Sequence, residues 1–295
     1  MSKKFFGTDG VRGTVGKDPM TADFALRLAS AAAQVLVPKG GTVVIGKDTR
    51  LSGYMFESAL EAGFVAAGVD VLLTGPLPTP AIAYLTNTMN ADFGIVISAS
   101  HNPYYDNGIK FFDGEGSKLS DETEDAIEAR IENPPTTRDS SALGRATILT
   151  TARTDYMRFC RDSLPDGMTF DGLKVVIDAS HGAAYKVAPR LMSELGADVI
   201  ADAKGDVARA ARHVQVRLSR TGAQPADHLA PFSGEAYGHT GFTGTSIAVD
   251  PRRDLVVVLL TNRVYHGREP AAIDRLRLDV HEIFAAATDA GIGPS

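Results

Sequence analysis

The stretch from Gly94 to Phe112, GIVISASHNPYYDNGIKFF, gathers residue types that do chemistry. Ser100 offers a hydroxyl nucleophile, His101 is of the residue type whose unperturbed titration falls near neutrality, and Lys110 adds a cation among apolar neighbours. The β-branched run Gly94-Ile95-Val96-Ile97 reads as a buried strand, so the polar residues that follow it sit at a strand end. Pro103 keeps Asn102 out of helix, Asn107-Gly108 supplies a second turn, and Ile109 to Phe112 returns as another strand. This geometry predicts that Ser100, His101 and Lys110 come together. Taken alone, a serine beside a histidine is also what an ordinary turn contains.

Two upstream segments bring arginines. Gly7-Thr8-Asp9-Gly10-Val11-Arg12-Gly13 has the composition of a tight loop whose backbone can approach an anion while Arg12 forks onto it. Lys47-Asp48-Thr49-Arg50-Leu51-Ser52-Gly53 follows an apolar strand, Thr42 to Gly46, and so places Arg50 at another strand end.

The elements that position these residues alternate along the chain. Helical spacing predicts helices over Thr21 to Val37, Ser52 to Ala67, Thr79 to Met89 and Asp121 to Ile131, the last with Asp121 and Glu124 as a capping box. Strands are expected at Val69 to Thr74 and at Gly94. Strand and helix in alternation predict a sheet with parallel crossovers and helices on both faces, which binds ligands beyond the carboxyl ends of its strands. Asn133-Pro134-Pro135 breaks the fourth helix, and a domain boundary is expected near residue 150. Beyond it come a helix around Asp155 to Ser163, a strand at Leu173 to Asp178, the small-residue loop Ala179-Ser180-His181-Gly182, and a helix from Tyr185 to Leu195. Small residues at a strand-to-helix turn more often cradle a phosphate or pack closely than act as nucleophiles, so Ser180 is not taken as catalytic.

The chain has 295 residues, 44% hydrophobic and 22% charged, ordinary for a soluble globular protein of two or three domains. Its net charge of −6 sets up no overall positive field, so nucleic acid is not an expected partner and an anionic substrate must be held by local cations and backbone N–H groups. Cys160 is the one cysteine, which excludes intrachain disulfides and cysteine-cluster metal sites and predicts a buried small apolar group. No apolar run reaches membrane-spanning length and the first residues lack a signal-type apolar region, so the expected location is the cytoplasm, with no membrane partner.

The SASHNP stretch with Asn107-Gly108-Ile109-Lys110 resembles the phosphoserine loop and NGxK segment of the α-D-phosphohexomutases, and Gly46 to Gly53 fits that family's GxDxRxSG. Within the superfamily, Phe6 to Gly13 is most similar to the phosphoglucosamine mutase branch, and the resemblance runs to Asp202. It implies an α/β fold with a three-layer first domain (residues 1–150) and a partial second α/β domain (151–203). It also implies a phosphoprotein isomerase that interconverts glucosamine 6-phosphate and glucosamine 1-phosphate. In that reading Ser100 carries the phosphoryl group, Lys110 exchanges a proton with the sugar hydroxyl, His101 is a second proton carrier, and Arg12 and Arg50 hold phosphate. Magnesium would bind through the Ser100 phosphate. The family's DGDxDR-type magnesium loop, its GExSGH-type sugar loop and its arginine-rich phosphate loop do not occur in this sequence. Asp202 and Asp206 do not replace them. Turnover is therefore expected to be absent or severely impaired, as phosphoryl transfer depends on positioning and charge stabilisation.

Residues 204–295 read as a junction and a short α+β tail. Ala203 to Ala230 has no clear period. The segment from Tyr237 to Ser246, with Ile247 to Val249, a turn at Asp250 to Asp254 and Leu255 to Leu260, predicts a β-hairpin, followed by a helix from Ala271 to Ala287. It resembles the C-terminal end of serine β-lactamase-like esterases and penicillin-binding-protein-like hydrolases, with His239-Thr240-Gly241 in place of their K-T-G box. No Ser-x-x-Lys nucleophile motif occurs anywhere in the sequence. Three function classes result: a residual phosphohexomutase, a catalytically incomplete fusion and, ranked last, a serine hydrolase.

Overall fold

Alanine, leucine and phenylalanine at helical spacing form the first helix of the computed structural model, α1 (Ala22–Leu36). The Thr21 hydroxyl caps it, accepting from the Phe24 N–H at 3.2 Å. The structure describes residues 4–7, 10–100, 102–179, 182–202, 232–240, 246–253, 255–259 and 271–291. The chain divides into two units, residues 1–162 and 163–295.

The first unit is organised on a seven-stranded sheet. Its parallel half consists of β3 (Gly41–Lys47), β4 (Val69–Pro76), β5 (Phe93–Ile97) and the short edge strand β7 (Ala146–Ile148). Its antiparallel half consists of β6 (Asp106–Asp113), β2 (Gly10–Thr14) and β1 (Phe6–Gly7), giving the order β1-β2-β6-β5-β3-β4-β7. The sheet is mixed because the polar turn after β5 returns the chain directly as its neighbour, which a parallel crossover cannot do.

Side-chain alternation assigns the faces. Val43, Ile45, Val71, Phe93, Ile95 and Ile97 point to one core together with α1, α2 (Leu51–Ala66) and α4 (Asp121–Ile131). The opposite face receives α3 (Thr79–Thr88), which comes so close that a Cβ on Gly94 would lie 2.0 Å from Thr86 Oγ1. The helix α5 (Ala152–Asp162) packs on α3 through Tyr84 and Phe159, stacked at 4.2 Å. These are the three layers of an α/β domain. On α5, Cys160 is only half-buried; burial and a hydrogen bond with Cys160 push the Tyr156 hydroxyl up to about 12.

Two local expectations change. The segment expected as a glycine loop is a strand from Gly10 onward, because its backbone completes the open edge of β6, with Arg12 opposite Gly108. The N-cap of α4 is Ser120, whose hydroxyl accepts from the Thr123 N–H at 3.2 Å, so Asp121 lies inside the first turn and no Asp121–Glu124 box forms.

In the second unit, β8 (Lys174–Asp178) pairs in parallel with β9 (Asp198–Asp202), connected through α6 (Ala188–Glu194). The tail builds a separate sheet: β10 (Tyr237–Thr240), β11 (Ser246–Asp250) and β12 (Leu255–Leu259), all antiparallel, with α7 (Ala271–Gly291). The expected hairpin is β11 and β12, and β10 is a third strand beside it. Ala248, Leu255 and Val257 pack with Phe232, Val280 and Phe284, so α7 covers one face of the sheet. Asp250 fastens the turn: its carboxylate accepts from the Ser233 N–H (2.8 Å), the Ser233 hydroxyl (2.6 Å), the Arg252 N–H (3.1 Å) and Arg253 Nη1 (2.8 Å). Arg253 also forks onto Asp289 of α7 at 2.8 and 3.0 Å. Burial pushes the Asp250 carboxyl up, but the hydrogen bonds from Ser233, Arg253 and Arg252 outweigh it and hold it below the usual range.

Candidate active site

Ser100 follows β5, the strand whose carboxyl end lies beside that of β3, and its side chain is exposed. Its backbone is left-handed, φ 55°, a region that costs a non-glycine residue roughly 1–2 kcal/mol. Three neighbours hold it there. Asp48, just past β3, accepts from the Ser98 hydroxyl at 2.8 Å, and Ser98 Oγ in turn accepts from the Ser100 N–H at 2.9 Å. Arg50 supplies the third contact, from Nη2 to the Ser100 carbonyl at 3.1 Å.

Arg50 is a surrounded cation. Its Nη1 donates to the Pro103 carbonyl (2.6 Å) and the Asp106 carbonyl (3.1 Å), its Nη2 to the Asn102 carbonyl (2.7 Å) as well as Ser100, and its Nε to Asp48 (3.0 Å). A guanidinium has five N–H donors, and these contacts use all of them on the serine loop and Asp48.

Arg12 and Lys110 are brought together by register. Arg12 lies opposite Gly108 across β2 and β6, and Lys110 is two residues along β6, so both side chains leave the same face of the sheet. The glycine leaves room: a Cβ on Gly108 would lie 2.8 Å from Arg12 Cγ and 2.8 Å from the Ser98 carbonyl. Gly108 also accepts from the Ser98 N–H at 2.9 Å, which ties this pair to the base of the serine loop. Lys110 Nζ stands 5.5 Å from the centre of the Phe112 ring. His101 lies outside the described residues, as do Thr8, Asp9 and the Ser180-His181 pair.

The carboxylates that bond to the serine loop, Asp48 and Asp106, are already engaged. Asp48 serves Arg50 and Ser98, while Asp106 accepts from Thr14 Oγ1 at 3.0 Å and Asn102 Nδ2 at 3.1 Å. Among the described residues no cluster of three or more histidine, cysteine or acidic side chains could hold a metal ion. They do not fit a magnesium site, and Asp202 closes β9 while Asp206 lies outside the described residues.

Sequence reasoning missed Asp48 and Ser98 as functional neighbours. Their signal was positional: each is two residues before a candidate residue, at the end of a neighbouring parallel strand.

The family model for phosphoglucomutase/phosphomannomutase, alpha/beta/alpha domain I, matches residues 3–138, and that for beta-lactamase matches residues 106–282. The matches overlap at β6 and α4, which in the structure belong to the seven-stranded sheet and its helices. The phosphoglucosamine mutase of Thioalkalivibrio sulfidiphilus is 59% identical over 202 residues, covering 68% of this chain and 45% of that protein. That of Azotobacter vinelandii is 60% identical over 200 residues, with the same coverage of 68% and 45%. The chain thus spans under half the length of these relatives. A phosphoglucomutase/phosphomannomutase family protein from Burkholderia thailandensis shares the fold with a TM-score of 0.61 at 22% identity, over 83% of this chain and 54% of that one. Through residues 1–202 the chain is similar to the phosphoglucosamine mutases, with residues 3–138 matching domain I of the phosphoglucomutase/phosphomannomutase family, and over residues 106–282 it matches the beta-lactamase family model.

Proposed function

We propose that the first unit accepts a phosphoryl group on Ser100 from a hexosamine phosphate, and that full interconversion of glucosamine 6-phosphate and glucosamine 1-phosphate by this chain is absent or severely impaired. The observation that carries this reading is an exposed, left-handed Ser100 at the carboxyl ends of parallel strands, with Arg12 and Lys110 on one face beside the base of its loop. In the half reaction a bond forms between Ser100 Oγ and phosphorus as the bond from phosphorus to the sugar oxygen breaks. The serine proton ends on that oxygen, and Lys110 passes it, with His101 as the second carrier. The new phosphoserine adds about −1.5 to −2 charge, which Arg12 and Lys110 offset.

The return step is where this chain should fail. The stretch that matches the relatives covers 45% of their length, and among the described residues no cluster of three or more histidine, cysteine or acidic side chains could hold magnesium. A single lost transition-state contact costs roughly 10² to 10³ in rate, and several are at stake here. The tail gives little support to acyl hydrolysis: His239 lies on β10, and no Ser-x-x-Lys occurs in the 295 residues.

Incubation with glucosamine 1,6-bisphosphate, followed by intact-mass measurement and peptide mapping, tests the half reaction. One phosphate on Ser100, lost in Ser100→Ala, is the expected result. Phosphate on Ser98, or none, would overturn it. Robust conversion of glucosamine 6-phosphate would overturn the second half of the proposal.

A further inference from the structure

We propose that Arg50 is a positioning residue for Ser100: its guanidinium is the post around which the serine loop is wound, and it takes no direct part in holding phosphate. The inference rests on the phosphoserine reading above for its functional meaning, but the winding itself is a property of the unliganded chain.

Among its described residues, the loop between β5 and β6 has few backbone bonds of its own. Asn102 N–H reaches the Ala99 carbonyl and Asp106 N–H the Pro103 carbonyl, each at 3.0 Å, and the Tyr105 carbonyl accepts from Val15 N–H at 2.9 Å. The carbonyls of Ser100, Asn102, Pro103 and Asp106 instead converge on Arg50. Its Nε is locked to Asp48, whose own carboxylate accepts from the Arg50 N–H at 2.9 Å and from Ser98. Arg50 and Asp48 are largely buried, with side chains 11% and 14% exposed, so their geometry is fixed by packing as well as charge. A phosphate ligand needs free N–H donors aimed at it. Arg50 has spent its donors on the loop, and two of its links bear on the strained residue: directly on the Ser100 carbonyl, and through Asp48 and Ser98 on the Ser100 N–H. Lysine keeps the charge but cannot make the planar fork.

The test uses the full chain with Arg50→Lys and, as a second variant that leaves the guanidinium in place, Ser98→Ala. Hydrogen exchange in the absence of any ligand reports the winding. The expected result for Arg50→Lys is at least tenfold faster exchange of amides 98–108 with the β4 amides unchanged, and a smaller change in the same segment for Ser98→Ala. Single-turnover phosphorylation by glucosamine 1,6-bisphosphate reports the function. The rate constant for Ser100 should fall at least tenfold in Arg50→Lys while the half-saturating concentration stays within twofold; loss of folded protein would lower only the amplitude. Unchanged exchange in the loop, or a tenfold rise in half-saturation with the rate constant intact, would overturn the proposal and make Arg50 a phosphate ligand. Should the wild-type chain take up no phosphate, the mutase reading fails and the exchange result decides the post by itself. If Arg50→Lys exposes β4 and does not fold, Ser98→Ala decides: faster exchange at 98–108 supports the post, and unchanged exchange refutes it.

Discussion

Adding one methyl group at Gly108 should disturb both the stability of the first unit and the chemistry of Ser100. Gly108 faces Arg12 across β2 and β6, and an alanine Cβ there would lie 2.8 Å from Arg12 Cγ, 2.8 Å from the Ser98 carbonyl oxygen and 3.1 Å from the Val11 carbonyl oxygen. The arginine stem can swing aside. The two carbonyls cannot, because Val11 is held in register with Ile109 and the Ser98 N–H is bonded to the Gly108 carbonyl itself. Relief must come from widening the strand pair or lifting the start of the serine loop. Such overpacking costs typically about 1–3 kcal/mol, which lowers the folded-to-unfolded ratio roughly 5- to 140-fold at about 1.4 kcal/mol per decade. Urea titration followed by hydrogen exchange in β5 and β6 measures the first effect, and the Ser100 phosphorylation rate measures the second. A Gly108→Ala chain within 0.5 kcal/mol of the parent, roughly the scatter of an ordinary surface substitution, and phosphorylated at the same rate, would refute this account of why glycine stands there.

Two further perturbations test the buried charges. Lys47 is 3% exposed, pairs with Glu57 and lies 4.4 Å from the Tyr54 ring centre. Lys47→Met should therefore cost about 3–5 kcal/mol by stranding Glu57, while the double change with Glu57→Gln should recover most of it; a double variant no more stable than the single one would argue against the pair. Asp250→Ala should loosen β10 to β12 by a similar 3–5 kcal/mol in hydrogen exchange, since it strips a buried arginine contact and leaves the Ser233 and Arg252 N–H groups without their acceptor. Because the folded Asp250 carboxyl is held low, its contribution should be complete above its unfolded pKa of about 3.9 and fade as pH falls through the lower folded value. A tail equally stable at pH 3 and pH 6 would contradict this.

The sequence by itself determined the elements whose apolar pattern repeats and the residue types at their ends. The alanine-rich period of α1, the β-branched run of β5 and its polar end at Ser100 are local properties, readable because burial on one face requires that spacing. The extended SASHNP and GxDxRxSG stretches carried the resemblance to the phosphohexomutases for the same reason, being contiguous.

Tertiary structure decided where backbone groups without a pattern find partners. Gly10 to Thr14 has no alternating apolar residues, and it is a strand because β6 offers an open edge. Ser120 caps α4 because its hydroxyl meets the Thr123 N–H, which the competing acidic residues beside it do not reveal. In the tail, Asp250 looks like any turn aspartate in sequence; the folded chain converges Ser233, Arg252 and Arg253 on it. Arg50 shows the limit most clearly. Its residue type and position suggest an anion clamp, yet a guanidinium bonds to whichever acceptors reach it first, and these are loop carbonyls some fifty residues further along the chain, brought there by the pairing of β3 with β5.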